Sequence, residues 1–126
     1  MDIDIQQFQP VFIEECREGL DAMEAELLTL RPGNTDKEAI NTIFRVAHSI
    51  KGGAGTFGFS ALTEFTHVAE TLLDDIRGDK LALLEGHISL LLQAGDCLRA
   101  WIELIEQGIT DVPNSAEALK LQFEQC

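Results

Sequence analysis

The chain has 126 residues and a mass of 13.9 kDa, enough for one compact domain with a single core and too little for two independent ones. Nine Lys and Arg stand against 22 Asp and Glu, a formal charge of -13 and a pI near 4.4, which argues against nucleic acid or anionic membrane as the main partner. With 45% hydrophobic and 25% charged residues, the composition is that of a folded protein and not of a disordered acidic tail.

The opening Met1-Asp2-Ile3-Asp4 lacks the basic and apolar blocks of a secretion signal. The longest apolar runs, such as Leu81 to Leu84 and Leu90 to Leu92, are too short for a bilayer span, so a cytoplasmic chain without membrane insertion is expected. Cys16, Cys97 and Cys126 form no C-x-x-C pair and are odd in number, which disfavours a disulfide framework or zinc ribbon and points to a reducing compartment.

Apolar residues recur at three- and four-residue steps throughout, and five helices are predicted, over about 4–30, 35–54, 60–78, 81–107 and 114–125. The first carries a stripe of Phe8, Phe12, Cys16, Leu20, Met23, Leu27 and Leu30, with Pro10 delaying or kinking its start. A turn at Arg31-Pro32-Gly33-Asn34 precedes Thr35-x-x-Glu38, a capping box that opens the second helix. Its stripe is Ile40, Ile43, Ala47, Ile50 and Ala54, ending in Gly52-Gly53-Ala54-Gly55, where glycine predicts a turn.

Ser60 is the expected N-cap of the third helix, with Leu62, Phe65, Ala69, Leu72 and Ile76 inward and Gly78 at its end. The fourth follows at once with Leu84, Ile88, Leu91, Leu98, Ile102 and Ile105 inward; Asn114-x-x-Glu117 caps a short fifth with Ala116, Leu119 and Phe123. Short turns between long helices predict antiparallel neighbours, hence an all-α fold: an up-and-down four-helix bundle with an additional C-terminal helix, residues 1–126 forming one domain.

Such a bundle hosts many activities, so function must come from a site. His48 lies one position beyond core residue Ala47, turned about 100° from the centre of the stripe onto the rim of the bundle. Gly52, one turn on, leaves no side chain over the imidazole, and Lys51 can place an ammonium beside whatever the ring carries. From Ala39 to Thr63 there is no Asp or Glu, while Arg45 and Lys51 flank His48, a local surface that would admit a phosphoryl group.

On the third helix His67, Glu70 and Asp74 share a polar face that can meet His48 if the two helices are neighbours. A carboxylate accepting from imidazole Nδ1–H fixes the tautomer and leaves Nε2 as a nucleophile, and Glu70 is the best candidate; a plain solvated acidic face is the alternative. Metal binding by His67 and Glu70 fits poorly, since di-iron bundles use Glu-x-x-His twice plus two further glutamates. No P-loop or kinase-like nucleotide motif is present, so no ATP site is expected in this chain.

The segment Ile43-Phe44-Arg45-Val46-Ala47-His48-Ser49-Ile50-Lys51-Gly52-Gly53-Ala54-Gly55-Thr56-Phe57-Gly58-Phe59 closely resembles the phosphohistidine motif of histidine phosphotransfer (Hpt) domains of the CheA type, and Thr66-His67-Val68-Ala69-Glu70 with Leu72-Leu73-Asp74 extends the likeness. The resemblance implies the amino-terminal domain of a larger chemotaxis histidine kinase, in which His48 is phosphorylated in trans by the ATP-binding kinase domain and passes the phosphoryl group to an aspartate of CheY-like or CheB-like response regulators. It also implies that Glu70 accepts the Nδ1 proton, Lys51 contacts phosphoryl oxygens, His67 joins the network and Gly52 keeps the approach open. No cofactor is implied in this domain, Mg-ATP being bound by the kinase domain, and the isolated domain is expected to be monomeric. The alternatives are a free-standing Hpt relay protein and a noncatalytic acidic helical adaptor for a basic partner.

Overall fold

Where apolar side chains recur once per turn, a helix has one dry stripe and must bury it against another. The computed structural model describes residues 5–126. In it a 3-10 turn at Ile5–Phe8 leads into α1 (Gln9–Thr29), followed by α2 (Lys37–Thr56), α3 (Ser60–Arg77), α4 (Glu85–Glu106) and α5 (Ala116–Glu124). Helix α1 packs on α2 and α4, α2 on α3, α3 on α4, and α5 covers α3 and α4. This is the expected bundle with its appended helix.

The stripes meet in one core that includes Leu20, Leu27, Ile40, Ile43, Leu62 and Phe65. Each such side chain contributes about 1.5–3 kcal/mol on full burial. The fifth helix packs through Ala116, Leu119 and Phe123, with Phe123 set edge-on to Phe65 at 6.3 Å between ring centres. Cys16 and Cys97 are buried in this core and Cys126 is exposed. Burial, aided by the Glu15 charge, pushes the Cys16 thiol up to about 12. Among the described residues no helix is long and apolar enough to cross a membrane.

Several element ends differ from expectation, each for a local reason. The predicted start of the first helix at residue 4 lies outside the described residues; α1 begins at Gln9, with Pro10 in its first turn where no N–H is needed. Phe8, counted with the inward stripe, precedes the helix and is 55% exposed. Helix α2 is capped by Asp36 and not Thr35: Asp36 Oδ1 accepts from the N–H groups of Glu38 at 3.0 Å and Ala39 at 3.2 Å. A carboxylate there answers both the orphan donors and the positive end of the helix dipole.

The glycine run does not break α2, which continues to Thr56. Gly53 is there for contact: a Cβ on it would stand 2.4 Å from the Phe12 ring, which also meets Phe57 at 5.3 Å between centres. The turn comes later, at Gly58, whose φ of +74 reverses the chain. Ser60 is the first residue of α3 and not its cap, and α5 starts after Ser115 with no side-chain cap from Asn114. Helix α4 starts at Glu85 and not at 81, because His87 reaches back and its Nδ1 accepts from Leu84 N at 3.1 Å. The inward residue of that loop is therefore Leu83, while Leu84, expected in the core, is 57% exposed.

Candidate functional site

Helices α2 and α3 run antiparallel side by side, so the rim of one faces the rim of the other. His48 stands on α2 next to buried Ala47, with 65% of its side chain exposed. Across the seam Glu70 of α3 is buried, one of two buried polar residues among those described, the other being Thr66. Its carboxylate is divided: Oε2 lies 2.7 Å from His48 Nδ1, and Oε1 accepts from Lys51 Nζ at 2.6 Å. Burial alone would raise the Glu70 carboxyl, but hydrogen bonds from Lys51 and His48 and the charges behind them outweigh it and hold it below the ordinary carboxylate range.

An ionised carboxylate only accepts, so the bond to Glu70 requires the proton on His48 Nδ1. In the neutral ring Nε2 is then the lone-pair atom, and it has no hydrogen-bond partner within the protein among the described residues. A Cβ built on Gly52 would meet nothing within 4 Å, so the space one turn beyond His48 is open. The arrangement is an oriented, tautomerically fixed imidazole with an ammonium nearby and room for a large partner.

The sequence-selected residues His48, Lys51, Gly52 and Glu70 come together, while the others stand further off. His67 Nδ1 is 3.9 Å from Glu70 Oε1, an ion-pair distance and not a hydrogen bond. Asp74, read as part of the same polar face, turns to Arg77 instead. Among the described residues no three His, Cys, Asp or Glu side chains gather to hold a metal ion. Arg45 is exposed on α2 and makes no ion pair among the described residues.

Two neighbours were not singled out from the sequence. Phe44 stacks on His48, ring centres 6.0 Å apart and planes 11° from parallel, and Arg77 lies over the Phe44 ring with its guanidinium carbon 3.8 Å from the centre. Phe44 could have been found as the residue one turn before His48 on the same face. Arg77 carried no such signal, because only the packing of α3 on α2 brings it there.

Known proteins resemble this chain in sequence and in fold. The Hpt domain family profile matches residues 7–120. The chain is 46% identical over 124 residues to chemotaxis protein CheA of Salmonella typhimurium, covering 98% of this chain and 17% of that protein. It is 41% identical over 96 residues to chemotaxis protein CheA of Rhizobium meliloti, covering 76% of this chain and 13% of that protein. Among solved structures, the phosphorylated P1 domain of CheA3 in complex with CheY6 from R. sphaeroides superposes with a TM-score of 0.84 at 29% identity, covering 94% of both chains. The CheA phosphotransferase domain from Thermotoga maritima gives 0.73 at 30% identity, covering 82% of this chain and 98% of that one.

Proposed function

The chain belongs to the Hpt domain family, and from that premise we propose that His48 is the phosphoacceptor of a CheA-type chemotaxis histidine kinase, of which this chain is the phosphotransfer domain. A kinase catalytic domain, acting in trans and holding Mg-ATP, delivers the γ-phosphoryl group to His48. A response regulator of the CheY or CheB type then removes it onto an aspartate. The domain itself uses no cofactor, works as a monomer and operates in the cytoplasm.

The observation that carries this reading is the 2.7 Å bond from Nδ1 to Glu70 on a ring that is otherwise 65% exposed. With Nδ1 protonated, the Nε2 lone pair attacks the γ-phosphorus in line and the bond to the ADP oxygen breaks, ADP leaving with the electron pair. Positive charge spreads over the imidazole as the P–N bond forms, and Glu70, buried and ionised, stabilises it through Nδ1–H. Lys51 lies beside the same carboxylate, within reach of a phosphoryl oxygen on the ring, and His67 lies at the edge of the group. In the second step an aspartate oxygen attacks phosphorus, the P–N bond breaks and Nε2 recovers its lone pair. Gly52 leaves the approach to the ring unobstructed for both proteins.

The test is to incubate the chain with a CheA-type kinase core and radiolabelled ATP, then add a CheY-like regulator. Acid-labile label on the chain that moves to the regulator is expected, with none on His48→Gln. Label persisting in that variant rules out His48 as the acceptor.

A further inference from the structure

One hydrogen bond at Nδ1 fixes one atom of the His48 ring but leaves its tilt loosely held. The second side-chain torsion of histidine is broad, and a hydrogen bond tolerates tens of degrees of misalignment. The Nε2 lone pair lies in the ring plane, so any tilt swings the nucleophile off the line of attack. A second ring stands beside it: Phe44, half-buried, with its plane 11° from that of His48 and its centre 6.0 Å away.

Phe44 is held in turn. The Arg77 guanidinium lies 3.8 Å from the centre of its ring, and the same guanidinium pairs with Asp74. The turn that carries Arg77 is tied to the start of α2, because Lys37 Nζ donates to the Arg77 carbonyl at 2.8 Å and pairs with Asp79 at 2.8 Å. A surface arginine would otherwise have ample freedom; here its side chain and its backbone are both engaged.

We propose that Phe44, with Arg77 clasped over its ring by Asp74, is a positioning group that holds the His48 imidazole in the plane required for in-line phosphoryl transfer. This rests on the reading of His48 as phosphoacceptor. Phe44 and Arg77 touch no reacting atom and act through the orientation of the ring.

The test combines phosphorylation rates with NMR of the His48 side chain, which needs no phosphorylation. In the unmodified chain, cross-relaxation between the Phe44 and His48 rings and a restricted imidazole are expected. Phe44→Leu is expected to lose the restriction and to slow phosphorylation about two- to tenfold, the range a stacked ring pair supplies. Phe44→Trp, which keeps a flat partner, should restore both to within about twofold on the same reckoning. Arg77→Gln, at a half-buried site on the surface, is expected to keep the fold and slow phosphorylation about two- to fivefold.

Should Phe44→Leu fail to fold, Arg77→Gln and Phe44→Trp carry the test. Unchanged ring order and rate in Phe44→Leu, or in Arg77→Gln where only that variant folds, overturn the positioning role while leaving His48 as acceptor. Label persisting in His48→Gln instead removes the reaction that the stack would serve, whatever the NMR shows.

Discussion

Glu70 spends both oxygens on cations or cation-forming groups from α2, and that division decides its response to pH. Its carboxyl is held below the ordinary range, so the folded state favours the ionised form more than the unfolded chain does. Its contribution to stability is complete above the unfolded carboxylate value of about 4.3 and is lost as pH falls through the lower folded value. Acid titration of the thermal midpoint should therefore show a downturn below about pH 4 that is smaller in Glu70→Gln; identical acid limbs would remove Glu70 from the balance. At neutral pH Glu70→Ala should slow phosphorylation without unfolding the bundle, measured by single-turnover labelling beside circular dichroism. The pairing of Glu70 with His48 was legible because spacing put His48 on one helix rim and Glu70 on another, whereas the bond from Lys51 to the same carboxylate was not foreseen. The stack of Phe44 and Arg77 was not, since it depends on two helices being laid side by side.

Adjacent glycines on α2 have opposite reasons to be small. Gly52 faces open space, whereas Gly53 is pressed against Phe12, a Cβ there falling 2.4 Å from the ring. Gly52→Ala should raise stability by about 0.5–1 kcal/mol through helix propensity and slow transfer to a regulator by narrowing the approach. Gly53→Ala should lower stability by about 1–3 kcal/mol, the range for overpacking. Chemical denaturation of both variants checks the pair, and equal effects would contradict the geometry. The same contact gives one glycine of the run a reason to sit inside a helix: Gly53 admits the close approach of Phe12, and the reversal waits for Gly58. Stripe periodicity located the helices well because burial enforces it, as Ile40, Ile43, Ala47, Ile50 and Ala54 show. Helix starts were less legible: Leu84 cannot cap with its side chain, and the compensating bond from His87 has no composition signature.

Over the whole molecule, 22 acids against nine bases leave strong mutual repulsion that the cross-helix pairs offset in part. Arg17 reaches from α1 to Glu106 of α4 at 2.7 Å, and Arg99 returns from α4 to Asp21 and Glu24 of α1. Exposed pairs of this kind contribute roughly 0–1 kcal/mol each, and salt screens them as it screens the repulsion. The excess of acids decides the sign, so raising salt from low to physiological strength should raise the thermal midpoint by about 3–5 °C, equivalent to about 1 kcal/mol. A lower midpoint in a calorimetric salt series would mean the α1–α4 pairs outweigh the repulsion. Sulfur is distributed more usefully than charge. Two of the three thiols are sealed in the core, and Cys126 opens on the cleft that His67 and Phe123 line. A maleimide dye would therefore load at one place per molecule, slowly at neutral pH because burial raises that thiol too. From there its fluorescence would register a visitor settling near His67, while the imidazole of His48 stays chemically untouched.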